Sequence, residues 1–180
     1  MRLPQSPVLT IVIAQLFGTS LWFSANSAAG SLMQTWGINE ADMGLLTNAV
    51  QLGFIAGTLS FALSGLADRF EASRIFMVCA LLGALFNALF AMAADGLAVG
   101  LPLRFGVGFC LAGVYPLGMK LIVIWVPERA GHALAQLVGM LTLGSALPHG
   151  IRLAGADWSW QSTILASSLL ATIAAAMIWK

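Results

Sequence analysis

The sequence predicts an all-α membrane protein of six transmembrane helices, and three observations carry that prediction. Hydrophobic residues make up 59% of the 180-residue chain and charged residues only 8%. Mean hydropathy is +0.92, well above the range of water-soluble domains. Long stretches also lack any Asp, Glu, Lys or Arg, at 3–39, 43–67, 75–94, 105–119, 130–151 and 158–179. A helix needs about 20 apolar residues to cross a bilayer, which places spans near 8–31, 43–66, 74–94, 97–125, 132–153 and 160–179 in one domain covering 1–180. In lipid only helices and closed barrels satisfy every backbone group, and runs without period-2 alternation exclude the barrel. A net charge of +1 offers no basic surface for nucleic acid. Cys79 and Cys110 lie in apolar runs with no C-x-x-C pair or Cys/His cluster, so no metal, disulfide or cofactor is expected.

The first span outlasts the apolar core of a signal peptide, so it is expected to be retained. Gln15, Thr19, Trp22 and Asn26 are spaced i, i+4, i+7, i+11, which puts them on one stripe of a continuous helix. Such a stripe either hydrogen-bonds neighbouring helices or lines a polar cavity. The second span carries small residues on two sides, G-F-I-A-G at 53–57 and Ala56, Ser60, Ser64, as expected of a crowded position. The segment S-G-L-A-D-R-F-E-A-S-R at 64–74 then gathers Asp68, Arg69, Glu71 and Arg74 in a tight turn. The third span offers only Asn87, and the sixth Thr163, Ser167 and Ser168, so both read as outer, lipid-facing supports.

The fourth span holds the most polar weight. Arg104 and Tyr115 share a face, Lys120 lies well round from Tyr115, and Pro116 removes the backbone bond to Ala112. Gly106, Gly108, Gly113 and Gly118 thin its surface for close packing. An ionisable residue within a span is a functional candidate, so Arg104 and Lys120 are candidates for ion coupling, against the alternative that each reaches to the interface. In the fifth span Thr142, Ser145, His149 and Arg152 follow i, i+3, i+7, i+10. His149 titrates near neutral pH and is a third coupling candidate, or a structural histidine near a helix end. Polarity therefore puts the first, fourth and fifth spans inside.

Orientation follows from the positive-inside rule. With the N-terminus cytoplasmic, that side receives Arg2, Arg69, Arg74, Arg129 and Lys180, and the outer side receives Glu40, Asp42, Asp95 and Asp157, with only Arg152 at a helix end and Arg104 just inside the fourth span as cations. Both termini are then expected inside an integral protein of the plasma (inner) membrane. Trp36, Trp158 and Trp160 fall at the outer boundary and Trp125 and Trp179 at the inner one, as interfacial belts require, while Trp22 sits mid-membrane. The halves echo one another: L-F-G-T-S-L against R-F-G-V-G-F, and V-Q-L-G against A-Q-L-V-G. Three-helix repeats of this kind invert in the membrane, a recurrent plan for transporters.

The 64–74 segment resembles the loop 2-3 motif of the major facilitator superfamily, roughly G-x-x-x-D-[RK]-x-G-[RK]-[RK]. Asp68 and Arg69 match, Arg74 supplies a basic residue one place late, and Ser64, Glu71, Ala72 and Ser73 depart from it. R-F-G-V-G at 104–108 is similar to the R-x-x-x-G motif of the family's fourth helix, and V-P-E-R-A-G at 126–131 to its loop 4-5. G-V-Y-P-L-G-M-K at 113–120 resembles uncharacterised members related to nitrate or cyanate carriers. The resemblance implies the N-terminal six-helix half of a twelve-helix carrier, working by alternating access on a small solute with a gradient ion or as a uniporter. It implies a C-terminal bundle, or a second copy of the chain, beyond residues 1–180. Gln15, Thr19, Trp22, Asn26, Arg104 and Tyr115 would line the solute path, and Asp68, Arg69 and Arg74 would form the inner gate. The alternatives are a non-transporting fragment and a membrane-embedded hydrolase using Ser145 and His149. The hydrolase pair sits on one helix with no oxyanion loop, so an enzyme is not expected.

Overall fold

The computed structural model describes residues 7–155 and 158–179. Arg2, Asp157 and Lys180, which enter the orientation argument above, lie outside the described residues. Regular structure among the described residues is helical. In chain order the helices are α1 (Pro7–Thr19), α2 (Ser24–Ser27), α3 (Ala29–Trp36), α4 (Glu40–Ser64), α5 (Leu66–Arg69), α6 (Ala72–Ala93), α7 (Leu97–Trp125), α8 (Ala130–Ala154) and α9 (Trp160–Ile178), with a 3-10 turn at Pro127–Arg129 before α8. Among the described residues five helices are long and apolar enough to cross a membrane: α4, α6, α7, α8 with its 3-10 turn, and α9; α1 is a shorter apolar helix.

Local chemistry sets most boundaries. Asn39 caps α4 by accepting from the Ala41 and Asp42 amides, and Asp42 returns a bond to the Asn39 amide at 3.0 Å. Gly65, at φ 63°, closes α4 in the left-handed conformation and releases the chain into α5. The Ser159 hydroxyl accepts from the Ser162 amide to start α9.

The first predicted span, 8–31, is not one helix. The chain leaves the α conformation after Thr19 and resumes it at Ser24, then breaks once more before Ala29. The cause is hydroxyl competition: Thr19 donates to Gln15 O (2.8 Å), Ser20 to Phe17 O (2.7 Å) and Ser27 to Ser24 O (2.7 Å), offering the backbone alternatives to its own ladder. A run of apolar residues shows a span's length; it does not show this interruption.

Helix α7 occupies the middle of the bundle, with α4 and α6 packed along it and α1 against its remaining face; α9 joins α6 to α1, and α8 packs on α1. Glycine permits the closest of these contacts. A Cβ on Gly53 would strike the Phe105 carbonyl, one on Gly108 the Val50 carbonyl, and one on Gly144 the Leu16 carbonyl. Only one of the two small stripes on the second span is used this way. Gly53 and Gly57 are buried against α7, whereas Ser60 and Ser64 are exposed and bond to their own helix. Exposure also departs from the expectation for the third and sixth spans. Half of the best membrane-length window of α6 and 44% of that of α9 are buried, against 22% for α4 and 17% for α8. The helices with most uncovered surface are thus the second and fifth spans, because α6 and α9 pack on each other, with Asn87 bonded to Ile164 O and Ser168, and α9 packs on α1 as well.

Candidate functional site

The interrupted first span and the buried cation of α7 meet. Arg104 is completely buried. Its Nη2 donates to Trp22 O (2.7 Å) and Leu21 O (3.2 Å), two carbonyls that the break leaves without helical partners. Its Nη1 donates to Asn87 Oδ1 (2.9 Å) and Ser24 Oγ (3.2 Å). Four of the five guanidinium protons are therefore used, and the Nε proton has no partner among the described residues. The guanidinium carbon also stands 5.6 Å from the centre of the Phe90 ring. A charge this deep survives only with its hydrogen bonds made, and here backbone, amide and hydroxyl oxygens make them while no carboxylate approaches among the described residues.

Asn87 completes the cluster. It accepts from Arg104 and from the Ser24 hydroxyl (2.7 Å), and its Nδ2 donates to Ile164 O and Ser168 Oγ, both at 3.0 Å. One amide thus ties α6 to α2, α7 and α9. Sequence reasoning left Asn87 on a lipid-facing helix and gave Ser24 no role. The available signal was that Asn87 stands as a lone amide in a strongly apolar span, which needs a buried partner.

The predicted stripe of the first span divides at the break. Gln15 and Thr19 are fully buried in α1, Gln15 against Gly118 of α7, and the Gln15 amide has no hydrogen-bond partner among the described residues. Trp22 and Asn26 are half-buried and turn toward α4: the Trp22 ring lies 4.9 Å from the Phe54 ring at a 47° tilt, and Asn26 Nδ2 donates to Thr47 Oγ1 (2.8 Å). Tyr115 is half-buried on α7 and packs against the apolar core that α1, α6, α7, α8 and α9 build together. His149 is exposed on α8, and the Ser145 hydroxyl donates to Thr142 O (2.8 Å) within its own helix rather than to His149. Arg152 donates to Trp158 O (2.5 Å) and Ser31 Oγ (3.2 Å), tying the end of α8 to α3. Trp36 and Trp160 meet edge-on at 6.1 Å at that same end, in keeping with their common boundary in the sequence.

At the opposite end the charged turn finds an unforeseen partner. Lys120 of α7 donates to Asp68 Oδ1 (2.7 Å) and to Ala67 O (2.5 Å). The hydrogen bond from Lys120, and then its charge, hold the Asp68 carboxyl below the usual carboxylate range. Arg74 instead pairs with Glu71 at 2.7 Å, the residue that stands where the loop motif has glycine. Lys120, a coupling candidate in the sequence, is thus bonded to the turn, and it connects the α4–α6 corner to the end of α7.

Comparison with known proteins agrees with this architecture. The family model described as Major Facilitator Superfamily matches residues 11–180. The 3-(3-hydroxy-phenyl)propionate transporter of Escherichia coli is 26% identical over 175 residues, which cover 96% of this chain and 42% of that protein. The 4-hydroxybenzoate transporter PcaK of Pseudomonas aeruginosa is 29% identical over 157 residues, 83% of this chain and 33% of that one. An uncharacterised transporter of Escherichia coli, YgaY, is 24% identical over 185 residues, 97% of this chain and 44% of that one. The chain thus spans less than half the length of these relatives.

Proposed function

The chain belongs to the Major Facilitator Superfamily, a family of membrane transporters, and from that premise we propose that it forms the N-terminal half of a carrier moving a small aromatic carboxylate by alternating access. The observation that carries this reading is the break in the first span with a buried, carboxylate-free Arg104 on its freed carbonyls. Discontinuous helices with irregular backbone recur at the binding sites of secondary transporters, because exposed peptide groups at that depth need polar partners. An uncompensated cation beside the break favours an anionic solute. Two relatives are named for aromatic acids rather than for nitrate or cyanate, which supports the aromatic class over the smaller anions.

The pairing of helices supports two inverted three-helix repeats. Helix α8 packs on α1 as α4 packs on α7, and α9 packs on α1 as α6 packs on α7. Transport then requires a second bundle over the uncovered faces of α4 and α8, from further chain or from a second copy. Both termini lie in the cytoplasm of the inner membrane on this reading, and Asp68, Arg69, Arg74 and Lys120 form the inner gate. Coupling to a proton or another ion runs through Arg104 or His149. Uptake of radiolabelled 4-hydroxybenzoate into proteoliposomes holding the intact carrier tests the proposal, with and without an imposed pH gradient. Saturable uptake that Arg104→Ala and Asp68→Asn each reduce is the expected result. Uptake that survives both substitutions unchanged overturns the assignment of path and gate.

A further inference from the structure

We infer that Trp22, Phe54 and Asn26 form a subsite for a hydroxylated aromatic ring, with Asn26 Oδ1 accepting the ring hydroxyl. The inference rests on the reading above, that the chain is half of a carrier for a small aromatic carboxylate.

The hydrogen-bond inventory at Asn26 leads there. Thr47 Oγ1 has one proton and spends it on Met43 O at 3.0 Å, so toward Asn26 it can only accept. Asn26 must therefore present Nδ2 to Thr47, at 2.8 Å, and this fixes the orientation of its amide. Its Oδ1 is left as an acceptor with no donor among the described residues, on a half-buried side chain in a membrane span. An acceptor so placed and so oriented suits a neutral O–H donor. Trp22, in the break just before the short helix of Asn26, and Phe54, two turns along α4 from Thr47, are both half-buried, and their paired rings offer an apolar wall against which a flat ring can pack. Gln51, one turn from both Thr47 and Phe54 on α4, adds a half-exposed amide with no partner among the described residues.

Arg104 acts as the positioning residue. By donating to Trp22 O and Leu21 O it fixes the backbone that carries the indole. A lysine has three N–H donors against the four that Arg104 uses here, and no planar fork, so it cannot replace all of these contacts.

Uptake kinetics for a matched pair of acids, 3-(3-hydroxyphenyl)propionate and 3-phenylpropionate, test this in the intact carrier. The wild type is expected to take up the hydroxylated acid with a KM about tenfold lower, the effect of one neutral hydrogen bond. Asn26→Leu should bring the two KM values together, with a larger rise for the hydroxylated acid than for 3-phenylpropionate. Trp22→Ala should raise both, and Trp22→Phe should restore most of the loss. Arg104→Lys should raise KM for both acids with the hydroxyl preference reduced. A tenfold preference that persists in Asn26→Leu, or a wild type with no preference, overturns the subsite. If the wild type moves neither acid, the transport reading fails by itself, and tryptophan fluorescence then decides the subsite. Quenching by the hydroxylated acid that disappears in Trp22→Phe upholds it, and quenching that is absent or unchanged in Trp22→Phe overturns it.

Discussion

Asp68 and Lys120 lie far apart in sequence and on different helices, yet they form the one ion pair that joins two elements of the bundle among the described residues. The pair is exposed at Asp68, so its worth to stability is small and its role is to hold the turn to α7. Asp68→Asn and Lys120→Ala are each expected to slow transport, and the double variant to be no slower than the worse single one, as measured by Vmax in proteoliposomes. The pH dependence has a definite sign. A carboxyl held below its ordinary value keeps its ionic contact everywhere above about pH 4 and loses it only as pH falls through the lowered value. The Asp68 contact is thus expected to persist across pH 5–8, and any pH effect on uptake in that window should be the same in Asp68→Asn. Deeper in the bundle, Asn87→Ala leaves Arg104, Ser24 and Ser168 short of a partner and should cost about 3 kcal/mol, seen as a lower melting temperature in detergent. The polarity of Asn87 was legible in the sequence. Its partners were not, because they come from three other segments of chain.

Helix α1 and its continuation show what periodicity can and cannot reveal about an element. Gln15, Thr19, Trp22 and Asn26 share a stripe only if 3.6 residues per turn holds throughout, and the hydroxyls of Thr19, Ser20, Ser24 and Ser27 break that condition. A cluster of four hydroxyls within nine residues was the signal for a break, but hydroxyls bend a helix only where neighbouring donors satisfy the freed carbonyls, here Arg104. The α4–α7 contact was more legible, since glycines at both surfaces announce close approach. Gly57→Ala should destabilise the bundle, because its Cβ meets the Phe109 carbonyl at 2.6 Å and the Ala112 methyl at 2.8 Å. Gly139→Ala, with nothing within 4 Å, should instead gain up to about 1 kcal/mol of helix propensity. Thermal unfolding of the two variants side by side makes the comparison.

Across the whole molecule, the membrane-length helices least covered are α4 and α8, where Leu52, Leu59, Leu63, Leu143 and Leu153 are exposed. Apolar residues at these positions suit either lipid or a second bundle. Cysteines introduced at Leu52 and Leu143, with Cys79 and Cys110 replaced, are expected to react more slowly with maleimide in the intact carrier than in residues 1–180 alone. Equal rates would show that no bundle covers these faces. An impermeant reagent should reach cysteines at Phe70 and Glu128 only from the cytoplasmic side if the termini lie inside.

Composition by itself determined that this chain is a helical membrane protein, and the uncharged runs placed the long helices α4, α6, α7, α8 and α9 to within a few residues, though not the interruptions of the first run, because lipid forces both length and apolarity on any segment that crosses it. The ordered motifs pointed to the family. Tertiary structure alone decided where the polar residues go: Arg104 onto a broken helix, Asn87 into the centre, Lys120 onto Asp68, and Asn26 onto Thr47. In an apolar medium a polar group must find a partner wherever the fold brings one, and the partner's place in the chain follows from packing, not from spacing along the sequence.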